Sequence, residues 1–107
     1  MVQALFDRVS ERLLGEDAEL ERTRMFRSDG LKTAGKFFAM VSKGELVLKL
    51  PRERVDELVA AGAGHRFDPG HGRLMKEWLA LRPADEPACA AYMGEARSFV
   101  GARANGS

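Results

Sequence analysis

The segment 34–51, AGKFFAMVSKGELVLKLP, constrains the fold more than any other part of the chain. It contains two runs whose apolar side chains recur with a period of two, the pattern of a strand that buries one face. In the second run, Leu46, Leu48 and Leu50 share a face. Gly44 lies between the runs and supplies the positive φ that a short hairpin turn usually requires. The segment therefore predicts a β-hairpin, which we expect at the centre of an antiparallel sheet.

The first run of the hairpin carries large apolar side chains on both faces of the predicted strand. Strict alternation assigns Phe37, Ala39 and Val41 to one face, and Phe38 and Met40 to the other. At most one of the two phenylalanines then belongs to an exposed face. Exposed rings on a sheet can stack on nucleic-acid bases, although large aromatic side chains more often fill a core.

Helical and alternating patterns surround this hairpin. Before the hairpin they predict a helix at 2–14, a strand at 20–26, a turn at 28–30 and a short strand at 31–34. After the hairpin they predict a helix at 51–61, a brief pairing at 66–68, a strand at 74–81 and a helix from an N-cap at Asp85 to Val100. The order α-β-β-β-β-α-β-α predicts an α+β fold of two layers, an antiparallel sheet with helices packed on one face.

Length and composition fit one packed domain. The chain has 107 residues, of which 45% are hydrophobic and 31% are charged. We expect a single domain over 1–101 and a flexible tail at 102–107, since GARANGS has no packing pattern.

Cys89 is the only cysteine, so no intrachain disulfide can form. No apolar run approaches the roughly 20 residues that span a bilayer, and the N-terminus is unlike a secretory signal, so we expect a cytoplasmic protein without a membrane partner.

No arrangement of residues predicts catalysis. His65 and His71 flank a Pro-Gly turn, but their spacing fits no standard zinc site. Cys89 lies on the apolar stripe of the last predicted helix, where packing is its usual role. The serines lack the G-x-S-x-G context of a hydrolase nucleophile. We therefore predict no enzyme, no metal site and no cofactor.

Charge is nearly balanced over the whole chain but uneven along it. The net charge is +1, yet residues 20–50 hold seven basic and three acidic side chains. Such a bias can make a weakly positive surface that touches phosphates. The alternative is a solvated sheet edge, where lysine also prevents aggregation. The candidate contacts for nucleic acid or a protein partner are Arg24, Arg27, Lys32, Lys36 and Lys76.

A second hypothesis is a small-ligand site in the loop 68–73. This loop joins glycines and cations to one aromatic side chain, and it would bind an anion through His71, Arg73 and Trp78. Trp78 could also line a groove, although packing is the more usual role of a tryptophan. The pattern leaves monomer and homodimer open.

Five elements of the chain resemble the TfoX N-terminal domain in order and spacing. They are Arg-Met-Phe at 24–26, Gly-Lys-x-Phe-Ala-Met at 35–40, Leu-Val-Leu-Lys at 46–49, Phe67, and Gly-Arg-x-Met-Lys-x-Trp at 72–78. The resemblance runs over about 6–100, and the stretch 48–62 is also similar to the YjbR/MmcQ family, which is often labelled DNA-binding. Arg27-Ser28 stands where the TfoX family usually has Gly-Gly, which puts any role of that glycine pair in doubt.

The resemblance implies a two-layer α+β fold and a bacterial, competence-related regulatory role. It supplies no active site that could be carried over residue by residue, and a shared fold does not fix a function. The first hypothesis is therefore a non-enzymatic regulatory or interaction domain that binds nucleic acid or a protein partner weakly.

Overall fold

The computed structural model describes residues 1–25, 28–68 and 76–104, and their side chains except those of residues 24, 25, 28 and 104. The elements are α1 (Val2–Glu16), β1 (Leu20–Met25), β2 (Ser28–Thr33), β3 (Lys36–Ser42), β4 (Glu45–Lys49), α2 (Arg52–Ala60), β5 (His65–Arg66), β6 (Trp78–Leu81) and α3 (Glu86–Ala104). The strands form one antiparallel sheet in the order β1-β2-β3-β4-β6-β5. The fold is α+β with the predicted order of elements, and the brief pairing after α2 is the two-residue strand β5.

Two tight hairpins build the centre of the sheet. Ala34 and Gly35 join β2 to β3, and Lys43 and Gly44 join β3 to β4; all four have φ between 52° and 77°. Two consecutive positive φ values define the type I′ turn, whose twist matches that of the flanking strands. The predicted central hairpin is thus confirmed.

Three helices cover one face of this sheet. The predicted row of Leu46, Leu48 and Leu50 is fully buried and belongs to the hydrophobic core. The helices add their apolar stripes to the same core: Val2, Leu5, Phe6, Val9 and Leu13 from α1; Val55 and Leu58 from α2; Cys89, Met93, Ala96 and Val100 from α3. Asp85 caps α3 as predicted, because its Oδ1 accepts a hydrogen bond of 2.9 Å from the amide of Ala88.

A β-bulge in β3 breaks the predicted alternation. Leu31 pairs with Ala39, but the next residue of β2, Lys32, pairs with Phe37, so Phe38 is an extra residue in β3. Phe38 and Ala39 are both fully buried in the core, whereas Phe37 is half-buried and outside it. The prediction that Phe37 shares a face with Ala39 is therefore wrong, because an inserted residue shifts the alternation of side chains by one.

Other segments differ from the predicted elements. The predicted turn at 28–30 is the start of β2, where Ser28 pairs with Met25 and Asp29 accepts hydrogen bonds from Arg22. That partner and the β3 strand override the turn preference of Ser-Asp-Gly. Strand β6 begins at Trp78, since residues 76–77 form a turn, and residues 74–75 lie outside the described residues. Residues 102–104, predicted as tail, continue α3, where Arg103 donates to Glu77 over 3.0 Å.

We expect the two phenylalanines of β3 to differ sharply on truncation. Phe38→Ala opens a cavity in the core and should cost about 3–5 kcal/mol of unfolding free energy. Phe37→Ala removes a half-buried ring and should cost less than about 2 kcal/mol. Urea unfolding of both variants measures the difference. A larger cost for Phe37→Ala would contradict the bulge.

Candidate nucleic-acid interface

The sheet surface opposite the helices is called here the open face. Val47 and Ala80 lie on it, since they are registered partners and fully buried yet do not belong to the core that the helices cover. Met40 pairs with Val47 and extends this apolar strip onto β3. Side chains of an antiparallel strand alternate between faces, so the open face continues at every second residue along β4 and β6.

Beside this strip lie two registered pairs of side chains, Lys32 with Phe37 on β2 and β3, and Lys49 with Trp78 on β4 and β6. We call these four side chains the aromatic row; in strand order they are Lys32, Phe37, Lys49 and Trp78. Lysine and aromatic ring alternate along it. Each lysine is the registered cross-strand partner of the ring that it accompanies.

The first pair of the aromatic row is Lys32 with Phe37. Lys32 Nζ lies 4.7 Å from the centroid of the Phe37 ring, within the range of a cation–π contact. The ring adjoins Gly30, because a Cβ built on that glycine would lie 2.7 Å from Phe37 Cε1. Glycine at position 30 therefore makes room for the ring on the open face.

The second pair is Lys49 with Trp78. Lys49 Nζ lies 5.7 Å from the centroid of the Trp78 ring, and both side chains are half-buried. Phe67 follows β5 and donates its amide to the carbonyl of Trp78 over 2.9 Å, which extends the row toward the sheet edge.

The rings of Phe37 and Trp78 lie on β3 and β6, which are separated by the strand β4. The last β3–β4 pair is Ala39 with Leu48, and Phe37 lies two residues from Ala39, past the end of this pairing. The strands that carry Phe37 and Trp78 are two spacings apart, so their backbones are separated by at least roughly 10 Å at 4.8 Å per spacing. Lys49 lies on the strand between them.

The helix-covered side of the protein carries its positive charge differently. Six of its described arginines are bound to carboxylates: Arg8 to Glu86, Arg22 to Asp7 and Asp29, Arg54 to Glu95, Arg66 to Asp56, Arg97 to Asp17 and Arg103 to Glu77. Burial acts to raise the pKa of Asp7, yet hydrogen bonds from Arg22 and Gln3 hold it below its ordinary value. These charges tie elements together, whereas the described contacts of Lys32 and Lys49 are to rings.

The structure brings some of the predicted site residues together and leaves others apart. Lys32 and Trp78 are both in the aromatic row, and Lys76 is exposed just before β6. Lys36 is exposed at the start of β3, across from Thr33. The backbone of Arg24 pairs with Asp29, but its side chain is not described. Arg27, His71 and Arg73 lie outside the described residues.

Sequence reasoning missed two members of the aromatic row. Phe37 could not be separated from Phe38 without knowledge of the bulge, since the two are adjacent and identical. The alternation of the Leu-Val-Leu-Lys-Leu segment is the signal that identifies Lys49 as lying opposite the leucine row of β4, but this pattern does not predict its partner across the sheet.

A histidine and a glutamate close one end of the open face. His65 Nε2 lies 2.9 Å from Glu45 Oε2, between β5 and the start of β4. The hydrogen bond to Glu45 raises the pKa of His65, against the opposing effect of burial. This contact links the edge strand to the central hairpin.

The described residues contain little other chemistry. No group of three His, Cys, Asp or Glu side chains in 1–25, 28–68 and 76–104 could hold a metal ion. Burial raises the pKa of the Cys89 thiol to about 11, so it stays protonated at neutral pH.

A shallow groove between α2 and α3 is lined by Arg54 and Glu95, which bind each other. Of the helices described, none is long and apolar enough to cross a membrane.

Comparison with protein-family models, with curated proteins and with solved structures found no match to this chain. The resemblance to the TfoX N-terminal domain therefore stays a prediction.

We expect the His65–Glu45 contact to make stability depend on pH. A histidine whose pKa is raised on folding adds stability below its ordinary pKa of 6.5, and this stability is lost as pH rises through the folded value. Glu45→Gln should lower the pKa of His65 in an NMR titration, and it should destabilise the protein more near about pH 5 than near about pH 9. Glu11→Gln, an exposed change on α1, serves as the control. An unchanged His65 titration in Glu45→Gln would contradict this assignment.

Proposed function

We propose that this protein is a non-enzymatic regulatory domain that binds single-stranded nucleic acid through the aromatic row of its open face. The observation that carries the proposal is the alternation of lysine and ring in Lys32, Phe37, Lys49 and Trp78. Sheets that bind single strands use the same two elements, aromatic rings that stack on bases and cations that contact the backbone.

The energies of the two kinds of contact favour the nucleic acid over the resting pairs. A lysine over a ring contributes about 0.5–1 kcal/mol at an exposed site and about 2 kcal/mol when it is desolvated, and these half-buried pairs lie between the two cases. A base stacked on an aromatic side chain contributes about 1–3 kcal/mol. A base should therefore displace the lysine from the ring, and the released ammonium group can then contact a phosphate.

The charge distribution agrees with a weak, salt-sensitive contact. The chain has a net charge of only +1, and arginines such as Arg22, Arg54 and Arg103 are bound to carboxylates. Lys76 is exposed just before β6 and supplements the two lysines of the aromatic row. Affinity that depends on a few lysines falls steeply as salt releases the phosphate contacts.

The family resemblance supports the same proposal by association. A regulatory role would follow from membership of the TfoX family, and nucleic-acid contact from the similarity to the YjbR/MmcQ family. The earlier alternative, an anion site at His71, Arg73 and Trp78, stays a prediction because 69–75 lie outside the described residues.

The rings of the aromatic row should be needed for binding. We expect Phe37→Leu and Trp78→Leu each to weaken binding of a mixed-sequence single strand about 5- to 150-fold, the loss of one stacked base. Fluorescence anisotropy of a labelled oligonucleotide of about ten nucleotides at low salt measures this.

Phe99→Leu is the matched control for both substitutions. Phe99 also lies under a cation, with the Arg103 guanidinium 5.0 Å from its centroid, but it belongs to α3 on the covered side. Its replacement should leave affinity unchanged. An equal loss for Phe99→Leu, or no salt-sensitive binding by the wild type, would refute the proposal and leave a protein partner as the occupant of the open face.

A further inference from the structure

Resting on the proposed function, we infer that the ligand is an unstacked, pyrimidine-rich strand that crosses the β-strands, with one base on Phe37, the next docked base on Trp78 and a phosphate at Lys49. This inference specifies the conformation and the base composition of the single strand proposed above.

The separation of the two rings requires the unstacked conformation. Phe37 and Trp78 lie on strands that are two spacings apart, at least about 10 Å. Successive bases of a helical stack rise only 3.4 Å. Two bases that each lie on one of these rings therefore cannot stack on each other, and the strand between them must be extended.

The position of Lys49 fits the backbone of such a strand. Lys49 lies on β4, between the strands that carry the two rings, and its Nζ is 5.7 Å from the Trp78 centroid. Lys32 lies beyond Phe37 on β2. The order across the sheet is thus cation, ring, cation, ring, which matches phosphate, base, phosphate, base along an extended strand.

The required unstacking selects the base composition. Every base has a face that can stack on a ring, so the rings alone discriminate little. The ligand must however give up its own stacking before it can occupy both platforms. Unstacking costs a purine run more free energy than a pyrimidine run, because purines stack on each other more strongly. The base preferences of such sites follow stacking strength and backbone flexibility. A base-paired strand would have to open as well.

The test compares oligothymidylate and oligoadenylate of equal length, about ten nucleotides, by anisotropy at one low salt concentration. We expect oligothymidylate to bind at least about 5-fold more tightly, and a hairpin of the same length to bind more weakly than either. Because Trp78 is the only tryptophan of the chain, quenching of its fluorescence should accompany binding of oligothymidylate.

The role of Lys49 is tested by the dependence of oligothymidylate affinity on salt. Lys49→Gln should reduce the slope of log K against log salt by about 0.7, the value for one phosphate contact with a single strand. Arg52→Gln, an equal change of charge at an exposed position of α2, should leave the slope unchanged.

The outcomes separate this inference from the proposal beneath it. Salt-sensitive binding in which oligoadenylate equals or exceeds oligothymidylate overturns the unstacked strand but leaves single-strand binding in place. Equal slopes for Lys49→Gln and the wild type overturn the phosphate contact. Absence of binding to every oligonucleotide overturns both.

Discussion

The open face of this protein depends on one extra residue in β3. Without the bulge at Phe38, strict alternation would place Phe37 on the side of Ala39 and Val41, under the helices. The inserted residue sends Phe38 into the core and leaves Phe37 on the opposite side, where Gly30 makes room for its ring. β-Bulges commonly re-aim side chains near functional sites. Because of the bulge, Phe38 packs in the core and stabilises the fold, whereas Phe37 lies on the opposite face of the sheet.

The two layers of the molecule divide the charged residues between them. Arg22 of β1 binds Asp7 of α1 and Asp29 of β2, and Arg54 of α2 binds Glu95 of α3, so these ion pairs fix the packing of the elements. On the open face, Lys32 and Lys49 lie over rings. In the proposed function, this cation–π contact is exchanged for a stacked base and a phosphate. The net charge of +1 therefore includes arginines that are bound in ion pairs and lysines that lie over rings.

Local patterns in the sequence were sufficient for most of the architecture. The leucine row of β4, the turn glycines, the capping Asp85 and the apolar stripes of the helices all act over short range, and each is seen in the structure. The misplaced segments depend on long-range partners instead. Residues 28–30 are a strand because β3 and Arg22 bind them, and α3 extends past Gly101 as far as Ala104, with Arg103 bound to Glu77.

The candidate site was predictable only in part, for the same reason. Lys32 and Trp78 were named as candidates, and both belong to the aromatic row. No local signal places the bulge, so Phe37 could not be chosen over Phe38. Lys49 of β4 pairs with Trp78 of β6, and α2 and β5 lie between these two strands in the sequence. Such a long-range pairing depends on the topology of the whole sheet.

We propose that the open face, and not the helix-covered side, binds the ligand. Mapping the amide and indole NMR signals of the isotope-labelled protein during titration with oligothymidylate distinguishes the two surfaces. We expect shifts at Phe37, Met40, Lys49 and the Trp78 indole, with α1 and α3 unaffected. Shifts confined to α1 and α3, with the Trp78 indole unchanged, would show that the helix-covered side binds instead.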